Sequence, residues 1–153
     1  MLTKQINPVP IRGKIRIYTD GSSRGNNKKN SGKAAIGILI CDEKDNVIQK
    51  HKDYIGLGTV NEAEYEALLK AFEIALGICK GELSCFSDSQ LMINQLNKSW
   101  RVKEPRLITL FDQVKKTEIN FDKVLYTRLP REHPMIRQAD KLANEAQNEN
   151  LSL

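Results

Sequence analysis

The sequence predicts an α/β domain, a mixed five-stranded sheet with helices on its faces. Two observations predict it. Three strand-like segments joined by short connections open the chain, which favours an antiparallel meander. From Glu62 onward the apolar period changes to that of a helix, and strand and helix patterns then alternate in the order βββαβααβα.

Each element has its own signal. Lys14–Asp20 alternates and carries Ile15, Ile17, Tyr18 and Thr19, the pattern of a strand. Ala34–Cys41 is nearly continuously apolar, as a buried strand is, and Asn46–Tyr54 follows after a turn at Asp42–Asp45. Across Glu62–Ile78, alanines 63, 67, 71 and 75 recur four apart, as do Leu68, Phe72 and Leu76, giving an amphipathic helix. Glu82–Ser87 is a short strand. Ser89–Asn97 and Pro105–Thr117 read as helices, Lys123–Leu129 as the fifth strand and Ile136–Asn148 as the last helix. Crossovers through helices place the later strands parallel to the first.

A length of 153 residues, 40% hydrophobic and 28% charged, suits one globular domain, here residues 14–150 behind a short N-terminal extension, 1–13. No apolar run approaches a membrane span and no signal peptide is visible, so a cytoplasmic protein is expected. Cys41, Cys79 and Cys85 have no CxxC spacing and support neither a disulfide framework nor a zinc site. The net charge is +5, and in residues 1–33 Asp20 is the sole acid among Lys4, Arg12, Lys14, Arg16, Arg24, Lys28, Lys29 and Lys33. A lone carboxylate in a basic segment is an arrangement that phosphate cleavage can use; a solvated basic surface explains the charges equally well.

Four acids stand out by position. Asp20 closes the first strand, Glu64 lies near the start of the long helix, Asp88 follows the fourth strand, and Asp140 lies early in the last helix. Each has an ordinary alternative. Asp20-Gly21 could be a hairpin turn, Glu64 could complete a capping box with Asn61, Asp88 could cap a helix, and Asp140 could be a plain helix acid. Strands one and four are expected neighbours, which would bring Asp20 and Asp88 together at strand ends where α/β sheets bind ligands. Clustered carboxylates repel unless cations neutralise them, and an all-oxygen donor set suits Mg²⁺ or Mn²⁺. Metal-assisted phosphodiester hydrolysis is the chemistry this favours.

Tyr18-Thr19-Asp20-Gly21-Ser22, Asn61-Glu62-Ala63-Glu64-Tyr65-Glu66-Ala67-Leu68, Ser87-Asp88-Ser89-Gln90 and Ala139-Asp140-Lys141-Leu142-Ala143-Asn144-Glu145-Ala146 resemble, in order, the signature segments of type 1 ribonucleases H. The resemblance implies a catalytic set of Asp20, Glu64, Asp88 and Asp140 holding two Mg²⁺ ions, with Mn²⁺ a possible substitute. Asp20 would bridge the two, Asp140 would serve the ion nearer the attacking water, and Glu64 and Asp88 the other. It implies endonucleolytic cleavage of the RNA strand of an RNA–DNA hybrid, leaving 5′-phosphate and 3′-hydroxyl ends. Gly21, Ser22, Ser23, Asn26 and Asn61 are the implied substrate contacts, and His133 the implied proton-transfer or product-release residue. A monomer without an obligatory protein partner or a membrane is expected.

The sequence departs from that pattern in places. Val60 stands where the family often has a first Asn, and Asn27-Lys28-Lys29-Asn30-Ser31 replaces a tighter turn. Lys98 to Arg106 resembles single-domain members that lack a large basic protrusion; Trp100 there is expected to be packed, and His51 to lie on the surface. Two alternatives stand beside this reading: a catalytically weak hybrid-binding module, and another nuclease of the same superfamily acting on DNA.

Overall fold

The computed structural model describes residues 13–25 and 32–151. Its sheet comprises β1 (Lys14–Arg24), β2 (Gly32–Asp42), β3 (Val47–Gly58), β4 (Glu82–Ser87) and β5 (Lys123–Arg128), in the order β3-β2-β1-β4-β5. β1, β2 and β3 form the antiparallel meander, and β4 and β5 run parallel to β1. Among the described residues four helices cover the faces: α1 (Val60–Ala75), α2 (Gln90–Leu96), α3 (Pro105–Glu118) and α4 (Pro134–Leu151). The architecture is the mixed sheet that the sequence predicts.

Strand alternation divides the apolar side chains between two cores. Ile15 and Ile17 of β1 join Ile36, Ile38 and Ile40 of β2 against Leu68 and Phe72 of α1, with α2 and α3 closing the layer. Tyr18, Leu39, Cys41 and Phe86 form a smaller cluster with Ile136 of α4. The β2–β3 turn is held by Asp42, whose Oδ1 accepts from the backbone N–H of Lys44 and Asn46, both at 2.9 Å. Asp45 takes the left-handed φ of 65° within it, as short polar residues in turns tolerate.

Several local expectations change. β1 does not close at Asp20 but continues to Arg24, because Gly21 through Arg24 find ladder partners in Ile36 through Lys33. Asp-Gly is therefore strand here, not turn. The N-cap of α1 is Thr59, not Asn61: its Oγ1 accepts from Glu62 N at 3.1 Å, and Glu62 Oε1 accepts from Thr59 N at 2.9 Å. This capping box uses Glu62 and releases Glu64 from any capping duty. Ser89, rather than Asp88, caps α2 by accepting from Met92 N. His51 is half-buried instead of superficial, and its Nε2 has no hydrogen-bond partner among the described residues. Trp100 is not packed away; it is 45% exposed.

Candidate active site

Two glycines allow two helices to close on Asp20. A Cβ on Gly21 would lie 2.5 Å from the Glu64 nitrogen, and one on Gly37 would lie 2.0 Å from the Ala139 carbonyl oxygen. Neither approach tolerates a side chain. α1 therefore meets β1 at Glu64, and α4 meets β2 next to Asp140. Gly37 is also the cross-strand partner of Asp20, so the gap it leaves lies beside that carboxylate. Asp88 arrives from the end of β4, which pairs in parallel with β1 up to Tyr18↔Phe86.

The result is a compact acidic cluster. Asp20, Glu64 and Asp88 each present an oxygen within 4.8 Å of the others. Asp20 and Glu64 are buried, and Asp88 is half-buried. The Gly21 N–H donates to Glu64 Oε1 at 3.0 Å. Asp140 joins the three in lining a cavity of about 390 Å³, together with Arg24, Arg131 and Asn144.

The electrostatics follow from burial and crowding. Burial, then the charges of Asp88 and Asp140 and a hydrogen bond with Asp140, push the Asp20 carboxyl up to about 8. Burial and the Asp20 and Asp88 charges raise Glu64, while the Gly21 N–H opposes the shift. Burial also raises Asp88, against the pull of the Arg131 guanidinium. Such a cluster is short of positive charge. Its donors are all carboxylate oxygens, a set that fits a hard divalent cation. The cysteines offer no competing site: all three are buried free thiols.

The other residues singled out by sequence are distributed unevenly. Gly21, Ser22 and Ser23 line the cavity. The Ser22 hydroxyl accepts from Gln147 Nε2 at 3.0 Å, and the Ser23 hydroxyl donates to Gly58 O at 2.7 Å. Asn26 lies outside the described residues, as does the N-terminal extension up to Arg12. Asn61 is exposed on the first turn of α1 and lines a neighbouring groove instead. His133 is not part of the cavity wall. Its ring stacks on Tyr18 at 5.9 Å, and its Nδ1 accepts from Met135 N at 3.1 Å just ahead of Pro134, a helix-capping position. Sequence reasoning gave no site role to Arg24 or Asn144. The available signal for Asn144 was its i+4 spacing from Asp140.

The neighbouring groove holds about 1050 Å³ and shares Val60 with the acidic cavity. Trp100, Arg101, Lys103 and Arg106 stand along it, and Arg106 reaches Glu62 at 3.5 Å.

Comparison with known proteins gives this geometry a family. A family model described as reverse transcriptase-like matches residues 22–146. Ribonuclease H of Clostridium botulinum is 30% identical over 153 residues, covering 89% of this chain and 97% of that protein. The chain belongs to the ribonuclease H type 1 family. Ribonuclease HI of Halobacterium salinarum is 34% identical over 134 residues, which is 88% of this chain and 64% of that relative, so this chain spans under two thirds of it. Among solved structures, LC11-RNase H1 in complex with RNA/DNA hybrid aligns with a TM-score of 0.80 at 37% identity, over 90% of this chain and 99% of that one. Among the described residues, no helix is long and apolar enough to cross a membrane.

Proposed function

We propose that this protein cleaves the RNA strand of RNA–DNA hybrids endonucleolytically, using two Mg²⁺ ions and leaving 5′-phosphate and 3′-hydroxyl ends, with Mn²⁺ as a substitute. The observation that carries the reading is a single cavity lined by carboxylates from β1, α1, the end of β4 and α4. The substrate class is supported by the hybrid-bound LC11 ribonuclease H1.

Asp20, Glu64 and Asp88 would hold the cations, with Asp140 completing the set from α4. When bound, divalent cations supply the charge that activates a water and stabilises the leaving oxygen of the phosphodiester. Raised carboxyls must release protons on loading, so cation affinity increases with pH. The Arg131 guanidinium, which already draws Asp20 and Asp88 down, is placed to hold a phosphate of the cut strand. Ser23, whose hydroxyl donates to Gly58 O, lines the cavity beside Asp20 and would face the ribose of the cut strand. Ser22, accepting from Gln147, keeps its own hydrogen to donate. The 2′-hydroxyl is what separates RNA from DNA in such a site. In the adjoining groove Trp100 offers a stacking face, and Arg101 and Lys103 offer charge to the DNA strand without reading its sequence. One chain supplies all four acids, which suits a monomer, and three free thiols suit a reducing cytoplasm.

Labelled RNA–DNA hybrid, double-stranded RNA, double-stranded DNA and single-stranded RNA, each with and without Mg²⁺ or Mn²⁺, test the reading. Metal-dependent cutting of the hybrid's RNA strand into 5′-phosphorylated fragments is expected. Cutting of DNA would favour another nuclease of the superfamily. Binding of the hybrid without any cutting would leave a binding module.

A further inference from the structure

Asp140 is placed differently from the other three acids. It comes from α4, on the far side of the sheet from α1, and it is not part of the tight trio of Asp20, Glu64 and Asp88. Its own helix provides a partner one turn on: Asn144 Nδ2 donates to Asp140 Oδ2 at 3.3 Å. Asn144 is in turn gripped from β1, where Arg24 Nη2 donates to Asn144 Oδ1 at 3.0 Å and Arg24 Nη1 donates to Asn148 Oδ1 at 2.9 Å. Arg24 reaches α4 because β1 runs on past Asp20, paired through Arg24↔Lys33.

Donor and acceptor rules give the chain a direction. A guanidinium has only donors, so Asn144 must offer it the amide oxygen. The amide nitrogen is then left for the Asp140 carboxylate, which accepts. Without Arg24 the amide is free to turn over and present oxygen to oxygen.

We propose that Arg24 and Asn144 are positioning residues: Arg24 fixes the orientation of the Asn144 amide, and the amide aims Asp140 at the cation site. The proposal rests on the cation-dependent cleavage proposed above. Partners behind a metal ligand commonly set its affinity and geometry, and their loss costs about 10-fold to 100-fold in metal affinity or activity. Arg24 and Asn144 both line the cavity, so direct contact with the substrate is the rival role.

The test uses Arg24→Ala, Asn144→Ala, the double variant and Asn144→Asp. Each is checked for folding by urea unfolding, and three quantities are read: kcat and KM for hybrid, the Mg²⁺ concentration giving half-maximal rate, and Mn²⁺ binding to substrate-free protein by calorimetry. Arg24→Ala and Asn144→Ala should each weaken Mn²⁺ binding and raise the Mg²⁺ half-saturation by about 10-fold, at the lower end for such partners. The double variant should be no worse than either single one, since both break one chain. Asn144→Asp is the sharpest arm. It keeps an oxygen for Arg24 and so keeps the tie between β1 and α4, but it faces Asp140 with an acceptor. It should unfold like wild type and yet raise the Mg²⁺ half-saturation as Asn144→Ala does. A wild-type Mg²⁺ half-saturation in Asn144→Asp would reduce the chain to a helix tie and overturn the proposal. So would an Arg24→Ala effect on KM alone that persists undiminished beside Asn144→Ala, which is the behaviour of a phosphate contact. If wild type fails to cut hybrid, the functional reading falls instead, and the Mn²⁺ titrations of the variants still decide whether Arg24 and Asn144 serve the cation site.

Discussion

Toward α1, α2 and α3 the sheet presents Ile15, Ile17, Ile36, Ile38 and Ile40, which pack against buried Leu68 and Phe72. Toward α4 it presents Tyr18 and Leu39, and then turns polar at Asp20 and Ser22. There α4 buries Ile136 and the small side chains of Ala139, Ala143 and Ala146, and adds directed bonds to that packing. Gln147 Nε2 donates to Ser22 Oγ at 3.0 Å and to Lys33 O at 2.7 Å, Arg24 holds two asparagines, and Lys52 pairs with Glu145 and Glu149. Apolar burial is strong but indifferent to direction. Hydrogen bonds contribute less net stability but fix orientation. The face that supplies most of the packing is therefore not the face that aims the last carboxylate.

The largest effect expected from breaking either side falls on chemistry. Asp20→Asn should remove cleavage by several orders of magnitude while hybrid binding persists, because the acid holds cations rather than the bulk of the substrate. Near-normal turnover by the pure variant would overturn the metal assignment.

Stability should then divide by face. Phe72→Ala, emptying a site with no exposed surface, should cost about 3–5 kcal/mol in urea unfolding. Gln147→Ala, which strips two hydrogen bonds from the α4 face, should cost about 1–3 kcal/mol. Equal losses would erase the distinction between the faces.

A pH series sharpens the same contrast. The Asp20 carboxyl is pushed up to about 8 in the folded protein by burial and by its acidic neighbours. The unfolded chain ionises it near its ordinary value of about 4. Between those values unfolding releases a proton that the folded protein retains. Without metal, stability should therefore be greatest in acid, fall as pH rises through that window and level off above about 8. The raised carboxyls of Glu64 and Asp88 act with the same sign. Melting measured with chelator should show this slope, and Asp20→Asn should flatten it. Added Mg²⁺ should stabilise more at the alkaline end, where the cluster is ionised. A metal-free protein that grows more stable from pH 5 to 8 would contradict the burial of these acids.

The smallest effect concerns His133. Its Nδ1 caps the start of α4 and its ring lies on Tyr18, so His133→Ala should cost about 1 kcal/mol of stability, as lost caps do. Turnover at saturating hybrid should barely change, whereas Arg131→Ala, which removes a side chain from the cavity wall, should lower it. A large fall in kcat for His133→Ala with unchanged stability would return the histidine to the chemistry.

By itself the sequence determined the order of the elements, the meander followed by parallel crossovers, and the acids worth attention. Those follow from hydrophobic period and from the rarity of a carboxylate such as Asp20 inside a basic stretch, both of which are local properties of the chain. It did not determine where β1 ends, because the hydrogen bonds that extend it to Arg24 come from β2. It did not reveal that Thr59 and Glu62 form the cap, which leaves Glu64 for the cluster. Nor could it place His133 at a helix start, leave Trp100 exposed, or bring Arg24 to Asn144 across 120 positions of sequence. The clustering of Glu64 and Asp140 on Asp20, and the reach of Arg24 to Asn144, depend on how closely two helices approach the sheet. That approach is set at Gly21 and Gly37 by the absence of a side chain, and only the packed structure shows what fills the space.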